Sequence, residues 1–353
     1  MSKSLLTLLP NGRAGLAHVD WSSEGPVITP FAEGESGQAE GILTPGFVDI
    51  HCHGGFGYDF MSASSQEIAA WAEKLAEEGY EYFLPTTVTC SAEAAKKALD
   101  NLPDHPLVAG VHLEGPFISP DYPGAQPPSF IKNPAGRDAA WDEVLNDLRI
   151  KVMTLAPERP GADVLIKDLN QRGIIASMGH TAASFEEAQV GFQNGVRHST
   201  HTYNAMKGLH HREPGALGFI LSEPGIMAEL IYDRIHVSYG AAKALLQAKG
   251  WGGVIAVSDA TQAAGIPSGT EFEMWDLKVV TKNKEVRLKS NGALAGSAIT
   301  LRDAFINICQ DFGLEAAIRT CSLNPRRALK LTDRPRVWVQ FSPDFSEHVT
   351  IRC

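Results

Sequence analysis

A chain of 353 residues, 44% hydrophobic and 20% charged, has the composition of an ordinary soluble globular protein and the length of one large barrel with a small accessory unit. Its net charge of −10 argues against nonspecific binding to nucleic acid or an anionic membrane, both of which need an extended basic surface, but leaves room for a small anion held by one or two local cations. Five scattered cysteines without a C-x-x-C pair argue against a disulfide framework or a thiolate zinc site. No apolar run is long enough to span a bilayer, and the apolar stretch at the start is too short for a signal peptide, so the expected location is the cytoplasm.

In chain order, residues 1 to 44 alternate short apolar pieces with Gly, Pro and Glu and cannot bury a core alone. From residue 45 a pattern recurs: a strand-like apolar run ending in polar residues, then a helix-like stretch. The runs are "PGFVDIHCHG" (45 to 54), "YFLPTTVT" (82 to 89), "LVAGVHLEGP" (107 to 116), "KVMTLAPE" (151 to 158), "IIASMGHT" (174 to 181), "VRHSTHTYNAM" (196 to 206), "IMAELIYDRIHVS" (226 to 238) and "GVIAVSDAT" (253 to 261). Near-continuous apolar character suits strands buried on both faces of a parallel sheet. Helical segments intervene, such as 64 to 79 with Ser64 or Ser65 as cap, and 184 to 195, capped by Ser184 and stopped by Gly195. About eight β/α units predict an α/β fold, a closed (β/α)8 TIM-like barrel over 45–331, with "LNPRRALKL" (323 to 331) as its last helix. The tail alternates in strand fashion around a turn at Ser342 to Ser346. Residues 1–44 and 332–353 together predict a small β-sandwich-like domain built from both termini.

In a parallel barrel the loops after each strand gather at one face, where such enzymes do their chemistry. The polar residues at the strand ends therefore read as one site: His51 and His53, His112 and Glu114, His180, His198 and His201, His236, and Asp259. Taken singly, a strand-end histidine reads as well as a partner for a loop carbonyl. Together they point to a metal. His51 and His53 are two apart in an extended strand and share a face, and the Gly54-Gly55 pair frees the backbone to turn. Glu114, His180 and His201 make three ligands with positions left open, the pattern of a catalytic zinc. His51 and His53 can complete a second site, with Asp259 and a bridging Glu114. Asp259 is placed to take a proton from water and return it to a leaving group, which describes hydrolysis of a carbon–nitrogen or similar bond.

The motifs "PGFVDIHCHGG", "GVHLEGPF", "GHTAAS", "HSTHTYNAM", "REPG", "VSDAT" and "GALAGSA" resemble, in order and spacing, the N-acetylglucosamine-6-phosphate deacetylases of the amidohydrolase superfamily. The resemblance runs from about residue 43 to 331. It implies a divalent metal, zinc first with iron, manganese or cobalt as alternatives, one or two per chain, held by Glu114, His180 and His201, with His51 and His53 for a second ion. Asp259 becomes the proton acceptor and donor. It further implies that Asn204, Ala205, Arg212 and His236 hold the sugar phosphate, that a loop of Leu294, Ala295 and Gly296 closes over it, and that the assembly is a homodimer in which the neighbouring subunit helps to bind phosphate. By itself Arg212 reads equally as a surface ion pair with Glu213.

Two departures stand out. Where relatives often read "KGAH", this chain has "SPDYPGAQPP", so Ala125 and Gln126 occupy the substrate-binding positions and Gln126 replaces a histidine. A glutamine amide donates a hydrogen bond but carries no positive charge. The opening motif keeps both histidines where some relatives have Gln-x-Asn, which allows two metals. The C-terminal β-segment is also short for the family. The expected substrate is N-acetylglucosamine-6-phosphate; the alternatives are another N-acyl amino-sugar phosphate, a cyclic amide, or a silent sugar-phosphate sensor.

Overall fold

The computed structural model describes every residue except Met1, Asp276 and Asn291. The chain begins with strands β1 (Lys3–Leu8), β2 (Ala14–Ser22), β3 (Gly25–Pro30) and β4 (Gly41–Pro45). It then enters β5 (Phe47–Cys52), a two-residue hairpin β6 (Gly54–Gly55) and β7 (Tyr58–Asp59), and β8 (Tyr80–Pro85). Strands β9 (Val111–Glu114), β10 (Ile150–Leu155), β11 (Ile175–Met178), β12 (His198–Ser199), β13 (Met227–Ile231) and β14 (Val254–Val257) follow, with helices between most of them.

Strands β9 to β14 pair in chain order and in parallel, and β5 pairs in parallel with β8. Parallel bridges Phe83 to Val108 and Thr86 to His112 carry β8 onto the β9 side, and Cys52 to Ala260 carries the end of β14 onto β5. The result is a TIM-like barrel. Its lower interior is filled by Val48, Ile50, Leu84, Val152, Ile231 and Ile255, all fully buried, each contributing roughly 1.5–3 kcal/mol of apolar burial.

The expected helix signals are present. Ser64 caps the helix Ser65–Glu77 in a capping box with Glu67, Ser184 caps Phe185–Asn194 with Glu187, and Gly195 ends that helix at φ +123°. Each box satisfies backbone N–H groups that the first turn leaves without partners.

One stretch differs from the expectation drawn from the sequence. After β14 the chain forms a four-stranded antiparallel sheet, β15 (Glu271–Met274), β16 (Leu277–Lys282), β17 (Glu285–Leu288) and β18 (Leu294–Ser297). The sequence pattern alone predicts barrel throughout this region. The triplet Leu294, Ala295, Gly296 therefore lies in a strand, not a loop, and a parallel bridge from Ala260 to Ser297 fastens that strand beside Asp259. The tail forms β19 (Val337–Phe341) and β20 (His348–Arg352), which join β1 to β4 in a six-stranded sheet of order β20-β19-β4-β1-β2-β3. Both termini thus build one sheet. A buried ion pair, Arg326 to Glu81 at 2.6 Å, ties the end of the barrel to the segment entering β19, where Glu81 also accepts the Arg336 N–H. No helix among the described residues is long and apolar enough to cross a membrane.

Candidate active site

At the C-terminal ends of the strands the side chains converge. In β9 the period of two puts His112 and Glu114 on the inner face, His112 deeper and Glu114 at the mouth. His51 reaches the interior by a different route. Its neighbour Ile50 already faces inward, so strict alternation would turn His51 out; the register between β5 and β8 shifts between Asp49 and Cys52, and such an irregularity re-aims a side chain. His180, His201, Ala205 and Asp259 follow their strands at φ +47°, +28°, +48° and +47°. Positive φ costs a non-glycine residue energy, and its concentration here marks a site held by its surroundings.

Glu114 is the centre. Its Oε1 lies 3.1 Å from His180 Nε2, 3.0 Å from His201 Nε2 and 3.6 Å from His51 Nε2, and its Oε2 lies 3.2 Å from His53 Nε2. Asp259 Oδ1 stands 3.4 Å from His51 Nε2 and 3.2 Å from His53 Nε2. Two metal-ligand groups result, His51, His53 and Glu114, and Glu114, His180 and His201, with Glu114 common to both.

Hydrogen bonding on the far side of the rings fixes what these atoms offer. His53 Nδ1 faces the Thr86 carbonyl at 3.1 Å, His180 Nδ1 the Tyr122 carbonyl at 2.9 Å, and His51 Nδ1 the Glu229 carboxylate at 3.1 Å. Oxygens of these kinds only accept, so each Nδ1 donates, and in the neutral ring Nε2 keeps its lone pair. The lone pairs of His51 and His53 face each other at 3.2 Å, that of His180 faces His201 Nε2 at 3.1 Å, and all three face carboxylate oxygens. Such an arrangement favours positive charge among the donors, supplied by protons or by a metal ion, and the nitrogen and oxygen donor set suits a divalent ion. Charge preferences agree. Burial opposes charge on His51 and His53, yet Glu114 and Asp259 beside them raise both pKa values, that of His53 to about 9. Burial also opposes ionisation of Asp259, but the neighbouring His51 and His53 bring its pKa down to about 2.

A cavity of about 130 Å³ opens over the cluster. Its walls include His53, Glu114, His180, His201 and Asp259, and the expected substrate residues Ala125, Gln126, Asn204, Ala205, His236, Leu294 and Gly296. Three expected residues stand elsewhere. His51 lies beneath, fully buried. Ala295 packs in the insertion's own apolar cluster with Met274 and Val279, because alternation along β18 turns it away from the face shared by Leu294 and Gly296. Arg212 is exposed and outside the cavity wall, its guanidinium 3.0 Å from His211 Nε2; Glu213 pairs with Lys207 instead.

His112 and His198, both on the strand-end roster, sit below the site. His112 donates through Nδ1 to the Ile50 carbonyl and meets the Thr154 hydroxyl through Nε2, and burial drives its pKa down to about 3 and that of His198 to about 4. His236 is held by Asp233, 2.6 Å from its Nδ1; burial opposes its charge, but Asp233 raises its pKa, which suits an anion-binding ring.

Three residues escaped sequence reasoning. Gly124 lines the cavity, as does Trp275, which comes from the insertion, donates to Asp59 at 3.0 Å and sets its ring 5.2 Å from that of His53. Glu229, fully buried on β13, accepts from His51. Its one sequence signal is a lone carboxylate inside the apolar run "IMAELI".

Comparison with known proteins places this geometry. Residues 42–335 match the Amidohydrolase family. The chain is 36% identical over 312 residues to the N-acetylglucosamine-6-phosphate deacetylase of Lysinibacillus sphaericus, covering 86% of this chain and 80% of that one. It is 33% identical over 297 residues to the N-acetylgalactosamine-6-phosphate deacetylase of Escherichia coli O157:H7, covering 82% and 78%. The crystal structure of N-acetylglucosamine-6-phosphate deacetylase from Thermotoga maritima superposes with a TM-score of 0.85 at 31% identity, covering 100% of this chain and 98% of that one. With its ligand cluster, its strand-end aspartate and its similarity over most of its length, this chain belongs to the N-acetylglucosamine-6-phosphate deacetylase family of the amidohydrolases.

Proposed function

We propose that this protein hydrolyses the acetamide of N-acetylglucosamine-6-phosphate, releasing acetate and glucosamine-6-phosphate. The observation that carries the reading is Asp259 Oδ1 at 3.2–3.4 Å from two histidines of the ligand cluster, in the same cavity as Asn204, Ala205 and His236. The ligand set is assigned to Glu114, His180 and His201 for one ion and His51, His53 and Glu114 for another, zinc being the expected metal. A bound divalent ion supplies Lewis acidity and brings the pKa of water towards neutrality.

The chain's own residues do the rest. Asp259, kept ionised by its neighbours, takes a proton from the attacking water as oxygen bonds to the acetyl carbon. It returns that proton to nitrogen as the carbon–nitrogen bond breaks, since the amine is otherwise too basic to leave. His236 and the polar edge at Asn204 and Ala205 face the sugar phosphate, with Arg212 as the further phosphate ligand. Leu294, Gly296, Ala125 and Trp275 wall the cavity and limit water. Gln126 touches the site through Glu114.

The same reading takes the barrel as a closed (β/α)8 unit over 45–331 interrupted by the insertion, the small domain as 1–44 with 332–353, the assembly as a homodimer and the setting as the cytoplasm. The bridges at both seams of the barrel and the six-stranded terminal sheet support the first two. The test is acetate release by purified protein, with metal content determined on the same sample. Release from N-acetylglucosamine-6-phosphate that is faster than from its galacto epimer supports the assignment. Equal or reversed preference moves it to the galactosamine substrate, and no release from metal-loaded protein refutes it.

A further inference from the structure

Glu229 has no place in the chemistry above, yet it is the least expected charge in the barrel. Its side chain is fully buried. On β13 the residues two before and two after it, Met227 and Ile231, pack into the apolar barrel interior, so Glu229 points inward with them. No lysine or arginine pairs with it among the described residues. An ionised carboxylate in such a place costs several kcal/mol unless its partners compensate.

Its side-chain hydrogen bonds among the described residues are two, and both end on Oε2. The His51 ring donates through Nδ1 at 3.1 Å, and the His201 backbone N–H donates at 3.2 Å. Oε1 has no partner. His51 belongs to one ligand group and His201 to the other. One carboxylate oxygen therefore holds a residue from each, on the side away from the site. It fixes the Nδ1–H tautomer of His51 and makes its Nε2 a better donor, as carboxylates behind ligating imidazoles do.

We propose that Glu229 is a positioning residue for a two-ion centre, orienting His51 through its ring and His201 through its backbone, and that the ion at His51, His53 and Glu114 depends on it. The proposal rests on the metal reading of the site and deepens it. His51 loses more than His201 when Glu229 is changed, because only its ligating ring is held directly, whereas His201 is held through the main chain.

The test is zinc binding by the metal-depleted protein, measured by competition with a chromophoric chelator, for the wild type, Glu229→Gln and Glu229→Met. Gln keeps the shape and one acceptor without the charge, and Met keeps the length without an acceptor. The expected result is two zinc ions for the wild type, with binding of one of them weakened about 10-fold or more in Gln and further in Met, within the 10–100-fold range for such partners. The melting temperature of each metal-free protein is read alongside and is expected not to follow that order. Two ions bound with wild-type constants in both variants would overturn the proposal, and so would losses that track the metal-free melting temperature, which mean a structural role only. A wild type that binds no zinc would instead bring down the metal reading itself.

Discussion

The Gln126 side-chain amide donates to Glu114 Oε2 at 2.5 Å while its carbonyl accepts the Thr89 backbone N–H at 2.6 Å. Gln126 therefore spans a buried main-chain donor and the carboxylate common to both ligand groups. Its amide is committed to Glu114, so its effect on a developing oxyanion is indirect. Gln126→Ala is expected to leave the Thr89 N–H without a partner and to lower stability by about 1–3 kcal/mol, read as a shift in the urea midpoint at unchanged slope.

Asp259→Asn keeps shape and tolerates φ +47° but cannot accept a proton. Acetate release is expected to fall by about 10²–10⁴-fold, with folding unchanged by near-ultraviolet circular dichroism. Activity within twofold of wild type would remove Asp259 from the proton path.

Metal binding should depend on pH with a definite sign. In the metal-free protein the pKa of His53 is raised to about 9 and that of His51 stands well above its usual value. An ion binds the unprotonated ring, so it must displace these protons. Zinc affinity is expected to rise from pH 6 and to level off above about 9, with proton release visible in calorimetry as a dependence on buffer ionisation enthalpy. Affinity that does not vary over this range would exclude both rings as ligands.

Arg212 stands outside the cavity of its own chain, so the proposed phosphate role would require movement of its segment or the approach of another subunit. Arg212→Ala should raise KM for the phosphorylated sugar by about 10–100-fold, the cost of one charge-assisted hydrogen bond, with kcat little altered. Steady-state kinetics at several protein concentrations will separate the two routes, since only the second depends on dimer formation.

Glu81 and Arg326 are both nearly fully buried. Glu81→Ala strands the guanidinium and is expected to cost about 3–5 kcal/mol, measured by denaturant unfolding. A loss under 1 kcal/mol would show that the Asp333 carbonyl, which accepts from the same guanidinium at 2.6 Å, suffices for Arg326.

Much of the site was legible before the fold was known, because a parallel barrel collects the C-terminal ends of its strands on one face. Glu114, His180, His201 and Asp259 could be picked from strand ends, and the caps Ser64 and Ser184 from their spacing to Glu67 and Glu187, since these are local rules of period and hydrogen bonding. Other features depended on partners far along the chain. His51 faces inward only because of a register shift against β8; Glu229 matters because β13 turns it beneath residues 28 and 178 positions away; Trp275 reaches His53 from a part of the insertion outside its one motif, "GALAGSA". Arg212 bore the right chemistry and stands outside the cavity, and Ala295 sat in the right triplet and faces the wrong side of its strand. Sequence by itself determined which residues can ligate, cap and alternate, as these follow from side-chain chemistry and backbone period. Which of them meet was decided by the side-by-side pairing of the barrel strands and the packing of the inserted sheet, where contacts depend on distance in space and not on separation in the chain.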